Sequence, residues 1–144
     1  MKLDALRLLN PNIKILVCLG IINEVQRERI SNLISNSTLQ SVFSDIVLKF
    51  FHTHRGDGMD VDFEFSSVDQ SQQFVDFLAH MRAAFDSNYL LTSAASPSEW
   101  RASVSYDIPG ITKNVDFVNV MTYDMQLCPW PETLGHHEFV SFDH

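Results

Sequence analysis

The stretch "DGMDVDFEF", residues 57–65, alternates acidic and apolar side chains. Successive side chains of a β-strand point to opposite faces of the sheet, so Asp60, Asp62 and Glu64 are predicted to line one face of a strand. The opposite face carries the apolar residues Met59, Val61, Phe63 and Phe65. Like charges on one face repel each other and cost stability. Such a row is tolerated most readily where a reaction needs coupled carboxylates or where a metal ion neutralises them.

A strand and a helix are predicted before the acidic stretch. "IKILVCLG", residues 13–20, is a continuous apolar run rich in β-branched residues, which is typical of a strand buried in a parallel sheet. From Ser37 onwards apolar residues recur at helical spacing, and Ser37 with Gln40 forms a predicted capping box. Gly56 is predicted to end this helix. Its apolar stripe comprises Leu39, Val42, Phe43, Ile46, Val47 and Phe50.

A second helix and two more strands are predicted after the acidic stretch. Ser67 and Gln70 repeat the capping box. The helical stripe that follows comprises Phe74, Phe77, Leu78, Met81 and Phe85. Strands are predicted over residues 89–96 and 115–124, with a loop and a short helix over residues 106–113 between them.

This alternation of strands and helices predicts a parallel α/β sheet with right-handed connections. In this fold class ligands bind at the carboxyl ends of the strands. Glu64 lies at the end of one predicted strand, and Tyr123 and Asp124 lie at the end of another. The topology is therefore expected to bring these residues to one rim of the sheet.

The composition suits one soluble globular domain. The chain has 144 residues, of which 45% are hydrophobic, and no apolar run approaches the roughly 20 residues that span a bilayer. The net charge of −8 disfavours nucleic acid and anionic membranes as partners. The start "MKLDALRLLN" does not resemble a secretory signal. Cys18 and Cys128 are predicted to be free thiols, which argues against a disulfide framework or a cysteine zinc site.

The motif "DGMDVDFE" resembles the D-x-x-D-x-D-x-E signature of family 18 glycoside hydrolases, the chitinases and chitinase-like lectins. "MTYD", residues 121–124, is similar to the family's second motif. The resemblance implies that residues 1–144 are a partial catalytic domain, a partial TIM (β/α)8 barrel resembling strands three to six with their helices. A complete barrel of this kind has about 250 residues.

Two departures from the family pattern accompany the resemblance. The segment Cys18–Ile21 reads Cys-Leu-Gly-Ile, whereas the family usually has Ser-x-Gly-Gly there. With Ile21 in place of the second glycine, the close backbone packing that this glycine allows in the family is not predicted for this chain. Phe63 stands where tryptophan is commoner, which is a tolerable exchange of one aromatic ring for another.

The resemblance also implies a mechanism and a substrate, a β-1,4-linked polymer or oligomer of N-acetylglucosamine. Glu64 would be the general acid, and Asp62 would orient the substrate acetamido group, which attacks the anomeric carbon in place of a protein nucleophile. Asp60 would complete one coupled titrating row with them. Tyr123 would donate a hydrogen bond to the acetamide oxygen. Residues implied to bind the sugar are Met121, Asp124 and Trp130, and no cofactor is implied.

Other interpretations of single residues are weaker. A calcium loop of the EF-hand type counted from Asp60 needs glycine at its sixth position and glutamate at its twelfth, but Phe65 and Ser71 stand there. Asp57 is predicted to be structural. No metal is assigned to the histidines, which are His52, His54, His136 and His137. Trp100 is at least as well explained by half-buried packing as by sugar stacking.

Two alternative functions stay open at the level of sequence. One is a chitin-oligosaccharide lectin without catalysis, although such lectins commonly lose the acid that Glu64 retains. The other is an inactive truncated fragment. The family resemblance implies secretion, and the open edge strands predict a poorly soluble isolated chain.

Overall fold

The computed structural model describes residues 2–21, 23–64, 68–96 and 106–123. Four parallel strands form one sheet in the order β1-β2-β3-β4. The strands are β1 Leu16–Gly20, β2 Gly58–Asp62, β3 Leu90–Ala95 and β4 Phe117–Val120. The predicted parallel α/β sheet is therefore confirmed. Each strand is shorter than its predicted segment, because strand pairing ends before the sequence pattern does.

Helices connect the strands. They are α1 Lys2–Leu9, α2 Glu24–Ser35, α3 Ser37–His54, α4 Ser71–Phe85 and α5 Ile108–Thr112, and a 3-10 turn spans Val68–Gln70. β1 ends at Gly20, and α2, which the sequence pattern did not predict, begins at Glu24. Helix α2 buries only Ile30 and Ile34, so its apolar periodicity is weak in the sequence.

The core lies between the helices and one face of the sheet. Met59 and Val61 of β2 and the following Phe63 are at most 1% exposed. The predicted stripe of α4 is confirmed, because Phe74, Phe77, Leu78, Met81 and Phe85 are all buried. Burial of each large apolar side chain contributes about 1.5–3 kcal/mol, so this layer holds the strands on the helices. The opposite sheet face is left for the acidic side chains.

Helix α3 is rotated relative to its predicted stripe. Its buried positions are Gln40, Ser44, Val47 and Phe51, whereas Leu39, Val42, Ile46 and Phe50 are 42–59% exposed. These four residues of the apolar stripe therefore lie outside the buried side of α3 within the described structure. Two polar residues are buried in their place because they have partners: the Gln40 side-chain amide donates to the Ile34 carbonyl at 2.9 Å.

The ends of α3 also differ from prediction. Asn36, not Ser37, is the N-terminal cap, and its side-chain oxygen accepts a hydrogen bond from the Leu39 N–H at 3.1 Å. At the other end Arg55, not Gly56, adopts the left-handed conformation, with φ of 58°. Ser67 of the second predicted capping box lies outside the described residues.

Gly58 is required at the start of β2. A Cβ atom at this position would lie 2.1 Å from the backbone oxygen of Leu90 on β3. The two strands pair directly there, with Gly58 opposite Leu90. Only glycine permits this approach, so the second residue of the acidic motif sets the register between β2 and β3.

Asp57 fastens the amino-terminal end of β2 to its neighbours. Its carboxylate accepts hydrogen bonds from the Ile15 N–H at 2.9 Å and from the Arg7 guanidinium at 2.7 Å, and Lys14 lies 3.7 Å away. Partial burial acts to raise the pKa of Asp57, but the Ile15 hydrogen bond and Arg7 outweigh it, so the pKa is lowered. The structural role predicted for Asp57 is confirmed.

Asp116 repeats this arrangement before β4. Its carboxylate accepts from the Leu91 N–H at 2.8 Å and from the Arg82 guanidinium at 2.6 Å. Its pKa is also lowered, because the Leu91 hydrogen bond and Arg82 outweigh partial burial. We call each such set, an aspartate before a strand with its arginine and backbone partner, an aspartate clamp.

Candidate active site

The acidic row lies on the sheet face opposite the helices. Asp60 and Asp62 of β2 are partly exposed, whereas Met59 and Val61 between and beside them are buried, so the predicted two-faced strand is confirmed. Glu64 follows β2 by two residues and is exposed. The three acids therefore run along one line towards the carboxyl end of the sheet, where the fold class binds its ligands.

Asp60 gathers polar side chains from the three other strands. The Thr92 hydroxyl of β3 donates to its Oδ1, and the Asn119 amide of β4 donates to the same oxygen at 3.0 Å. The Cys18 thiol of β1 lies 3.9 Å from Oδ2. Both oxygens of Asp60 thus lie within reach of donors from neighbouring strands.

Asp62 is placed to hold a proton more strongly than an ordinary carboxyl group. Burial raises its pKa first, and the nearby charges of Glu64 and Asp60 raise it further. The pKa of the Cys18 thiol is raised as well, by burial and then by Asp60 and Asp62. A high thiol pKa keeps Cys18 uncharged, so it adds no further negative charge to the row.

Met121 and Tyr123 follow β4, the strand that carries Asn119. Met121 is half-buried and its N–H donates to the Ala95 carbonyl at 3.0 Å, which continues the pairing with β3. Tyr123 is 51% exposed and makes no hydrogen bond to the acidic row within the described chain. The other two predicted sugar-binding residues, Asp124 and Trp130, lie outside the described residues.

Three polar contacts of the site were absent from the sequence-based prediction. Thr92 and Cys18 align with Asp60 in the register of the sheet, so alternation along their strands was the signal for them. Arg27 of α2 donates a hydrogen bond to the backbone carbonyl of Glu64 at 2.8 Å. No sequence pattern indicated this contact, because α2 itself was not predicted.

The described residues meet the requirements of neither a metal site nor a membrane-spanning helix. They include no group of three or more histidine, cysteine, aspartate and glutamate side chains arranged to bind a metal ion. Nor does any helix among them have the length and apolar character that crossing a bilayer requires.

Comparison with known proteins agrees with the motif. The sequence profile of the glycosyl hydrolases family 18 matches residues 1–141. A probable chitinase 2 of Drosophila melanogaster is 28% identical over 142 residues, which cover 94% of this chain and 29% of that protein. The chain thus spans less than a third of that relative.

Solved structures give the same result. A Group IV chitinase of Ostrinia furnacalis, in complex with allosamidin, is 34% identical with a TM-score of 0.76, over 85% of this chain and 34% of that one. A chitinase-like agglutinin of Robinia pseudoacacia is 25% identical with a TM-score of 0.78, over 86% of this chain and 40% of that one. The four-stranded sheet is therefore part of a TIM barrel, as predicted. By its motif, its fold and its relatives, the chain belongs to family 18 of the glycosyl hydrolases.

Proposed function

We propose that residues 1–144 are part of a secreted chitinase catalytic domain that hydrolyses β-1,4-linked N-acetylglucosamine chains. The observation that carries this proposal is the row of Asp60, Asp62 and Glu64 towards the carboxyl end of β2, on the side of that strand opposite the buried Met59 and Val61. Support comes from the Ostrinia furnacalis chitinases, one solved with allosamidin and one with a chitooligosaccharide.

In the proposed mechanism Glu64 donates its proton to the glycosidic oxygen as the bond to the anomeric carbon breaks. The carbonyl oxygen of the substrate's own acetamido group forms a new bond to that carbon, giving a cyclic oxazolinium ion. Glu64, now ionised, takes a proton from the water that opens this ring and is thereby restored. The sugar leaves with its anomeric configuration retained.

The other acids assist the acetamido group. Asp62 orients it and stabilises the positive charge of the cyclic intermediate. Asp60 couples to Asp62 by charge, and its hydrogen bonds to Thr92 and Asn119 fix its position. The pKa of Asp62 is raised by burial and then by the charges of Glu64 and Asp60, which supports treating the three acids as one coupled row.

Residues at the end of β4 are proposed to form the sugar pocket. Tyr123 donates a hydrogen bond to the acetamide oxygen, and its half-exposed side chain leaves the hydroxyl group accessible. Met121 and Asp124 line the pocket, and Trp130 stacks on a sugar ring. These roles follow from the family motif, and no cofactor takes part.

A lectin function is the second candidate, because the chitinase-like agglutinin shares the fold. Retention of Glu64 favours the hydrolase, since a lectin has no use for a proton donor at that position.

Substitution of Glu64 by glutamine in the full-length protein separates the two functions. The exchange keeps size and hydrogen bonding but removes the transferable proton, so turnover is expected to fall by about 10²–10⁴-fold. Affinity for chitooligosaccharides is expected to persist. Release of reducing ends and isothermal titration calorimetry measure the two quantities.

Glu28→Gln is the matched control, because Glu28 is exposed on α2, outside the row. It is expected to leave both quantities unchanged. Binding without any release of reducing ends in the wild-type protein, unaltered by Glu64→Gln, would establish the lectin instead. Absence of both binding and turnover in the wild-type full-length protein would contradict both functions.

A further inference from the structure

Glu64 lies beyond the part of β2 that the sheet holds. Pairing with β1 ends at Gly20 opposite Asp62, and pairing with β3 ends at Val61 opposite Ser93. The main chain of Glu64 is therefore two residues past the last paired position. A side chain that must act at a fixed point needs some other support there.

Two contacts supply that support. On the helix side, the ring of Phe63 is buried and its centre lies 5.9 Å from that of Phe74 on α4. On the main chain of Glu64 itself, the carbonyl oxygen accepts a hydrogen bond from Nη1 of Arg27 at 2.8 Å. The contact uses the backbone, so it leaves the Glu64 carboxyl group free of this arginine.

Arg27 is itself held in place. It lies in the first turn of α2, where its N–H donates to the Asn23 carbonyl at 3.0 Å. Its Nε is 3.3 Å from a carboxylate oxygen of Glu24, while its Nη1 donates to the Glu64 carbonyl. Glu24 is 87% exposed, so this ion pair orients Arg27 while adding little to stability.

We propose that Arg27 is a positioning residue that fixes the main chain of Glu64, and through it the carboxyl group, at the carboxyl end of the sheet. This inference rests on the proposed function of Glu64. The planar guanidinium reaches Glu24 and the carbonyl with separate nitrogens, which a lysine ammonium cannot reproduce with the same geometry. A displacement of 1 Å at such a residue can cost about 10²-fold in rate.

The test compares variants of the full-length protein. Arg27→Met keeps the aliphatic stem and removes the donor. Arg27→Lys restores charge and a single donor, so it is expected to recover part of the effect. Arg29→Met is the matched control, since Arg29 is exposed on the same helix and loses the same charge. Arg27→Gln replaces Arg27→Met if the latter does not fold.

Two readouts decide the inference. The backbone order parameter of Glu64 is expected to fall from about 0.85 towards 0.6 in Arg27→Met, to be intermediate in Arg27→Lys and to stay high in Arg29→Met. The kcat is expected to fall about 10- to 100-fold with KM nearly unchanged and the melting temperature preserved. A structural defect alone would lower the melting temperature instead.

Equal order parameters in Arg27→Met and Arg29→Met would overturn the inference. Failure of the proposed function is distinguishable, because it appears as absent turnover in the wild-type protein. The order parameters then still decide whether Arg27 holds Glu64.

Discussion

At the scale of single residues, Asp60 takes hydrogen bonds from Thr92 and Asn119 and has the Cys18 thiol at 3.9 Å. Each of these residues comes from a different strand. Asp60 therefore joins the acidic row to the whole sheet. Its negative charge contributes to the raised pKa of Asp62, after burial and Glu64. Within the described residues, Asp60 acts by charge on Cys18 and on Asp62.

Asp60→Asn tests this coupling. The exchange removes a negative charge that opposes ionisation of Asp62 and keeps the size of the side chain. We expect the pKa of Asp62 to fall towards the ordinary carboxyl value. Carbon-detected NMR titration of the Asp62 carboxyl group measures it. Asp45→Asn, on the exposed surface of α3, loses the same charge and is the control, and an Asp62 titration identical in both variants would contradict the coupling.

At the scale of elements, the two aspartate clamps fasten the amino-terminal ends of the strands. Asp57 ties the start of β2 to Ile15 before β1 and to Arg7 of α1. Asp116 ties the segment before β4 to Leu91 of β3 and to Arg82 of α4. The clamps lie at the end of the sheet opposite the acidic row. The aspartate clamps and the candidate site therefore lie towards opposite ends of the strands, an arrangement that is usual in TIM barrels.

Asp57→Asn is expected to cost about 1–3 kcal/mol of unfolding free energy near neutral pH, because a charge-assisted contact with Arg7 is lost. The pKa of Asp57 is lowered in the folded state, so the unfolded state binds more protons between the two pKa values. Stability from Asp57 is thus present above about pH 4 and is lost as pH falls through the folded pKa.

Urea unfolding of the wild-type and variant proteins across this pH range measures the effect. The difference between them is expected to shrink below about pH 4. Asp45→Asn on the exposed surface of α3 is the control and is expected to show no such difference. If the loss of unfolding free energy in Asp57→Asn stays constant down to the lowest pH measured, then the stabilisation by Asp57 is not electrostatic.

The elements also show what sequence patterns can and cannot predict. Strict alternation predicted β2 and its two faces, and the regular stripe of α4 predicted its buried side. Helix α3 was predicted, but its orientation was not, since apolar residues occur on more than one side of it and the neighbouring elements decide which side is buried. Helix α2 escaped prediction because only Ile30 and Ile34 are buried.

Some features of the candidate site could likewise be predicted from the sequence, and others could not. The acids could be predicted because their spacing is local and specific to a family motif. The partners of Asp60 needed the register of the sheet, which brings Thr92 and Asn119 to Asp60 across 32 and 59 residues. The contact of Arg27 with Glu64 depends on the packing of a helix end, and no local pattern encodes it.

At the scale of the whole molecule, one surface of the described chain is apolar and exposed, and we call it the apolar flank. Leu39, Val42, Ile46 and Phe50 of α3 lie along this flank. An apolar groove runs beside them, lined by Val17 and Leu19 of β1 among others. β1 and β4 are the edge strands of the described sheet, so their outer backbone groups face no further strand within the described residues. Exposed edges and apolar flanks of this kind promote association.

We therefore expect residues 1–144, prepared alone, to self-associate at micromolar concentration. Ile46→Glu places a charge in the middle of the apolar flank. Burying one large apolar side chain is worth about 1.5–3 kcal/mol, so its replacement is expected to weaken association by about tenfold or more. Sedimentation velocity over a concentration series measures this.

Ser41→Glu provides the matched control for that experiment, because it adds the same charge at an exposed polar position of α3. If the flank drives association, Ser41→Glu associates like the wild-type chain whereas Ile46→Glu does not. Association that persists equally in both variants would assign it to the edges of β1 and β4 instead. A wild-type chain that is monomeric and melts cooperatively at the same concentration would show that neither surface promotes association, and the prediction would then be wrong.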